Sequence, residues 1–211
     1  FIKFCIMLLI MKKTQIYFFL EELNSINIPI LKKLKNISII YRNYSKNNYV
    51  ARAFKIKKFS QLYGHNLFVS NDLKLANRMG ANLYIPSFNK QLRYLGNNCQ
   101  KKIKVIGSAH NYSEINNKIL QGCSGVFISP LYITRSHKKK NVLGFSRFNN
   151  LKQYFKSKLE VYALGGIGEN NLAKIHSLNT SGFALKSFLE KRQSQKSLSF
   201  LNLIARSNVI S

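Results

Sequence analysis

Eight short apolar runs, rich in β-branched and aromatic residues, recur along this chain at intervals of roughly 20 to 35 residues. A polar turn and then a stretch able to form a helix follow each of them. The runs cover residues 15–19, 37–41, 67–70, 83–85, 105–108, 126–128, 161–164 and 183–185. Helices are predicted over 50–63, 73–79, 112–121, 145–158 and 172–178, with N-cap signals at Asn71-Asp72, Ser113 and Asn170-Asn171. Gly64, Gly80 and Gly122 stand where helices need a left-handed C-terminal residue. Eight β/α units predict a single closed (β/α)8 TIM barrel, for which a chain of 211 residues is near the lower limit of about 200. An open doubly wound sheet would need a topological switch point, and none can be located.

No Pro/Ser-rich linker divides the chain, so residues 11–211 are read as one domain. The first ten residues, FIKFCIMLLI, are apolar but shorter than the roughly 20 residues of a membrane span, and they lack the basic start and cleavage site of a secretory signal. Met11-Lys12-Lys13 resembles a natural start, and residues 1–10 are expected to be upstream read-through. Cys5, Cys99 and Cys123 are odd in number and widely spaced, which indicates neither a disulfide framework nor a zinc site and points to reduced thiols and a cytoplasmic location.

Charge asks for an anionic partner. The chain has 34 Lys and Arg against 7 Asp and Glu, a formal net charge of +27. Such a surface would attract nucleic acid, an anionic membrane or phosphorylated small molecules. The bases are dispersed among abundant Asn and Ile, with Lys138-Lys139-Lys140 the densest run, which reads as compositional drift on a solvated surface. Asp72 is the only aspartate.

In a barrel, chemistry belongs at the C-terminal strand ends. The residues there are Arg42 and Asn43, Asn71 and Asp72, Ser108 and His110, Thr134, Ser136 and His137, Gly165 and Gly166, and Ser187. Nearly all are donors, as phosphate recognition requires, because phosphate oxygens only accept. Asp72 could hold a Mg²⁺ that bridges two phosphates. Each also has a plainer structural role: Asn71-Asp72 as a helix N-cap, Arg42 as an ion-pair residue, Thr134 and Ser136 as loop caps, the glycines as packing residues.

Five ordered segments carry a family resemblance: IIYRNY, LFVSNDLKLANRMGANLYIPS, VIGSAHNYSEI, GVFISPLYITRSHKKKNVLGFSRF and VYALGGIGENN. From about Ile39 to Ser187 the chain resembles the thiamine phosphate synthase / thiazole tautomerase superfamily. The resemblance implies a barrel transferase that joins hydroxymethylpyrimidine diphosphate to thiazole ethyl phosphate, giving thiamine monophosphate and pyrophosphate with Mg²⁺ as cofactor. It implies Arg42, Asn71 and Ser108 on the diphosphate and Asp72 on the metal. Thr134, Ser136, His137 or Lys138, Gly165, Gly166, Lys186 and Ser187 would hold the thiazole phosphate. Phosphorylated small molecules are then the expected partners, with neither a specific nucleic acid nor a membrane among them; a homo-oligomer is compatible.

The chain departs from the family where a second metal-binding aspartate is expected after strand four. It reads Ser87-Phe88-Asn89-Lys90-Gln91 there, with Ile40 and Tyr44 replacing Gln and Lys of the strand-two motif. Lys90, Arg93 or Lys138 could offset lost metal charge, and Glu114 is the acid to look for beside Asp72. Two alternatives stay open: a thiazole tautomerase using His110 or His137 as acid/base, and a non-catalytic polyanion-binding barrel using the stripe Tyr41, Tyr44, Tyr49, Phe54 and Phe59. His110 is otherwise a satisfied barrel histidine, and His65 and His176 read as surface helix residues.

Overall fold

All eight runs become strands: β1 (Gln15–Leu20), β2 (Ser38–Tyr41), β3 (Asn66–Ser70), β4 (Asn82–Ile85), β5 (Val105–Ala109), β6 (Gly125–Ile128), β7 (Glu160–Leu164) and β8 (Gly182–Leu185). The structure is a computed structural model that describes residues 14–43, 48–92, 94–95, 103–133, 142–171, 174–175, 178–190 and 195–206. Every strand pairs in parallel with its sequence neighbours, and β8 returns to β1 to close the expected (β/α)8 barrel. Residues 1–10, assigned above to read-through, lie outside the described residues.

Six α-helices are described: α1 (Asn27–Lys33), α2 (Tyr49–Tyr63), α3 (Leu73–Met79), α4 (Tyr112–Leu120), α5 (Gly144–Phe155) and α6 (Gln195–Arg206). The sequence reading placed no helix over α1, which contains Pro29. In the first turn, however, its missing N–H has no intrahelical acceptor to lose. Asn111, not Ser113, caps α4, its Oδ1 accepting from Glu114 N–H at 2.9 Å. The helix expected over 172–178 falls largely outside the described residues; a 3-10 turn, Glu169–Asn171, precedes it.

Inside the barrel, six aromatic side chains replace the branched aliphatics common to this architecture. Tyr17, Phe19, Phe68, Tyr84, Phe127 and Tyr162 pack with Ile40, Ile106 and Ala184. Tyr17 lies at its centre, meeting Phe127 edge-on at 5.0 Å and Tyr162 at 5.1 Å, in the offset geometries that ring quadrupoles favour. The Tyr162 ring leaves no room for a side chain at Gly125, and the β1 backbone leaves none at Gly182. A Cβ at Gly125 would stand 2.5 Å from the Tyr162 ring, and one at Gly182 would stand 2.1 Å from the Gln15 carbonyl oxygen. At the N-terminal end, the Tyr162 hydroxyl and Lys104 Nζ both donate to Glu160 Oε2, and the Tyr17 hydroxyl donates to Gln15 Oε1. Burial holds both phenols protonated, so they remain donors.

His65 is not a surface helix residue. It precedes β3, is 7% exposed, and its Nε2 lies 3.1 Å from the Leu31 carbonyl while Nδ1 has no partner. Burial lowers its pKa. The folded state therefore resists a proton that the unfolded chain accepts near pH 6.5, and stability falls as pH drops through that value.

Two outcomes are expected. Gly182→Ala forces β1 and β8 apart and should cost about 1–3 kcal/mol or more in urea unfolding. His65→Gln, which can still donate to Leu31, should flatten the acid limb of the stability profile between about pH 5 and 7 relative to the unmodified chain.

Candidate active site at the barrel mouth

The end of β3 has the most ordered polar geometry. Asn71 takes a left-handed backbone conformation, φ 55°, which Asn tolerates better than most residues, and its N–H donates to Tyr84 O at 2.8 Å. Its Oδ1 accepts from Asn89 Nδ2 at 2.7 Å. An amide has its acceptor at one end and its donors at the other, so this bond leaves the NH₂ group as what Asn71 can offer a ligand. Asp72 caps α3: Oδ1 accepts from Leu75 N–H at 2.8 Å, leaving Oδ2 as the oxygen for any cation.

No second carboxylate is described beside Asp72. Glu114 belongs to the cap of α4, where Oε2 accepts from His110 N–H at 2.8 Å and Oε1 from Asn111 Nδ2 at 3.3 Å. Among the described residues no three His, Cys, Asp or Glu side chains cluster as metal ligands. One carboxylate oxygen suits a hard cation that arrives with phosphate oxygens and water, as Mg²⁺ does, and does not form a cage by itself.

The loop after β4 is held from below. Lys118 of α4 is buried and its Nζ donates to Pro86 O at 2.8 Å, Asn89 O at 2.9 Å and Gln121 Oε1 at 2.7 Å. Burial pushes its pKa down to about 8. Sequence reasoning missed Lys118 and Asn89 as a unit. The signal was a lysine three residues after Ile115, on the apolar face of α4.

Arg42 follows β2; its N–H donates to Leu20 O at 2.9 Å and its guanidinium lies 4.8 Å from the Phe19 ring centroid. With Lys186 it lines a cavity of about 440 Å³. Arg52, Glu21, Glu22 and Glu190 line the same cavity, so three cations face three carboxylates. Ser108 lies within β5, not beyond it, and is buried beneath the mouth, where its Oγ accepts from Tyr84 Oη at 2.9 Å. Ser187 is exposed and opens a 3-10 turn after β8 whose Phe188 and Leu189 are buried.

Gly165 and Gly166 have φ of 100° and 69°. A Cβ on Gly165 would lie 2.8 Å from Pro130 Cα, and one on Gly166 would lie 2.5 Å from Tyr132 Cβ. Both glycines are therefore required by the approach of the loop after β6, whatever else their backbone does. Thr134, Ser136, His137 and Lys138 lie outside the described residues, as do Tyr44 and Arg93; Lys90 is exposed.

His110 is tied to the protein through both ring nitrogens: Nδ1 is 2.8 Å from Ser129 O and Nε2 is 3.2 Å from Ser87 Oγ. The aromatic stripe considered for polyanions is not an exposed face. Tyr41 is buried and stacks on Tyr49 at 5.0 Å, and Phe54 and Phe59 pack against the core. Burial pushes the Cys123 thiol up to about 12, which leaves it inert as a nucleophile.

A family model described as thiamine monophosphate synthase matches residues 26–189. A thiamine-phosphate synthase of Prochlorococcus marinus is 34% identical over 83 residues, covering 39% of this chain and 23% of that protein. Another from the same species is 26% identical over 171 residues, covering 77% of this chain and 47% of that protein. The chain thus spans less than half the length of these two relatives. Among solved structures, a thiamine phosphate pyrophosphorylase from Pyrococcus furiosus superposes with a TM-score of 0.70 at 14% identity, over 94% of this chain and 98% of that one, a likeness of fold.

Because Asp72 caps a helix, its structural and chemical roles separate by substitution. Asp72→Ala should cost about 1 kcal/mol in denaturant unfolding, while Asp72→Asn, which keeps a capping oxygen, should cost a few tenths at most.

Proposed function

The chain belongs to the thiamine monophosphate synthase family, and from that premise we propose that it joins hydroxymethylpyrimidine diphosphate to thiazole ethyl phosphate, yielding thiamine monophosphate and pyrophosphate. In this reading the carbon–oxygen bond to the diphosphate breaks with its electron pair leaving on oxygen. The pyrimidine-stabilised cation is then captured by the lone pair of the thiazole nitrogen. No strong base is called for; the demand is to neutralise leaving-group charge in a dry cavity.

The observation that supports this best is the end of β3, where Asn71, its Oδ1 taken by Asn89, has its NH₂ left to offer, and the next residue, Asp72, has one carboxylate oxygen outside its helix cap. A donor for phosphate oxygen and one ligand for a hard cation stand on adjacent residues. Asp72 Oδ2 and the diphosphate would hold Mg²⁺, which when bound supplies charge neutralisation to the leaving group. Arg42 would add a cation on the β2 side, and Ser108 a hydroxyl beneath the diphosphate. Thr134, Ser136, His137 and Lys138, with Gly165, Gly166, Lys186 and Ser187, would receive the thiazole phosphate. No described helix is long and apolar enough to cross a membrane, and a cytoplasmic location suits polyanionic substrates.

The tautomerase reading draws less support at His110, whose two ring nitrogens are engaged with Ser129 and Ser87, and its other candidate, His137, lies outside the described residues. With both phosphorylated precursors and Mg²⁺, the purified protein should form thiamine monophosphate, and chelation of the metal should stop it. Asp72→Asn, folded by the criterion above, should lose about 10²–10³-fold in kcat/KM. Absence of product across the whole range of Mg²⁺ concentrations would rule the synthase reading out.

A further inference from the structure

Lys118 is 1% exposed, and among the described residues the ion pairs are Arg52–Glu22 and Lys104–Glu160, neither of which involves it. A buried ammonium without a carboxylate partner is costly, and it is tolerated only where hydrogen bonds satisfy all its protons. Here they do: three acceptors, the carbonyls of Pro86 and Asn89 and the Gln121 side chain, converge at 2.8, 2.9 and 2.7 Å on one atom. Of the side chains, only an ammonium places three N–H donors on a single atom. The barrel makes way for its stem at Gly107 of β5, where a Cβ would stand 2.7 Å from Lys118 Cδ. Gln121 reinforces the clamp, its Nε2 donating to Asn89 O and Gln91 O, each at 3.0 Å.

The clamp ends on Asn89. Its carbonyl is held by Lys118 and Gln121, its Oδ1 accepts from Gln91 N–H at 3.0 Å, and its Nδ2 donates to Asn71 Oδ1 at 2.7 Å. The orientation of the Asn71 amide thus depends on where Asn89 stands, and Asn89 stands where the buried ammonium fixes it. We infer that Lys118 is a positioning residue for ligand binding at the end of β3, acting through Asn89 to keep the NH₂ of Asn71 turned toward a diphosphate. It touches no substrate. For the identity of the ligand the inference rests on the synthase reading; the mechanical link from Lys118 to Asn71 does not. Residues 86–92 of that loop include no acid, so its contribution to the site is to aim a donor.

The test combines two readouts on the full chain: the side-chain amide resonances of Asn71 and Asn89 in ¹⁵N-labelled protein, and the affinity for inorganic pyrophosphate with Mg²⁺. Lys118→Met removes the clamp. Asn89→Ala keeps the backbone carbonyl that the clamp holds but removes the Nδ2 donor, so nothing fixes the orientation of the Asn71 amide. Both variants should shift the Asn71 amide signals and weaken pyrophosphate binding about 10- to 100-fold, the scale of one lost or misdirected charge-assisted hydrogen bond. In turnover, the KM for the pyrimidine diphosphate should rise while that for the thiazole phosphate stays unchanged, a split that general loosening of the fold would not produce. Unaltered Asn71 signals and unaltered pyrophosphate affinity in Asn89→Ala would overturn the inference, even if Lys118→Met failed to fold. If the amide signals shift in both variants but the unmodified protein takes up no pyrophosphate, the link stands and the synthase reading falls.

Discussion

Closure of the barrel around six aromatic rings is the constraint on which the rest depends. Eight short parallel strands can form a cylinder only if side chains fill it to the density of a protein interior. Here large rings come from β1, β3, β4, β6 and β7, and the strands between them contribute smaller side chains, Ile40 of β2, Ile106 of β5 and Ala184 of β8. The Tyr162 ring lies against Gly125 of the neighbouring strand, and Tyr17 meets the Phe127 and Tyr162 rings edge-on, so the rings interlock instead of stacking face to face. That packing reaches up to Tyr84, whose hydroxyl bonds Ser108 just below the mouth. The floor of the candidate site is therefore the top of the core.

Above that floor, scarcity of acid shapes the chemistry. The described carboxylates are mostly spoken for: Glu22 pairs with Arg52, Glu160 with Lys104, and Glu114 closes the cap of α4. Asp72 keeps one oxygen in hand, and its neighbour Asn71 has had its acceptor end taken by Asn89. A hydrogen bond between two amides decides which pole of Asn71 faces outward, and a phosphate oxygen, which only accepts, is sensitive to that choice.

The net charge of +27 has less to say about function than its size suggests. Bases spread over a surface raise the local concentration of any polyanion without choosing one. Where cations do converge on a cavity, at Arg42, Arg52 and Lys186, carboxylates from Glu21, Glu22 and Glu190 cancel them. Membership of the thiamine monophosphate synthase family is carried by the ordered segments between residues 26 and 189, not by the charge.

The sequence by itself determined the barrel, because strand-forming runs and capping residues are local signals: the eight strands, the Asp72 cap and the left-handed Gly64 and Gly80 could all be read from neighbouring residues. It also marked the strand ends where Arg42, Asn71, Asp72, Gly165 and Gly166 stand. It did not reveal that His65 is buried, that Ser108 lies inside β5 bonded to Tyr84, or that Lys118 reaches past Gly107 to hold the loop bearing Asn89. Those facts depend on pairs far apart in the chain, and a residue's local pattern carries no information about which distant carbonyl or ring will meet it once the cylinder closes. Only the tertiary structure decided which way the Asn71 amide points, since that choice belongs to a contact across 18 residues and not to Asn71.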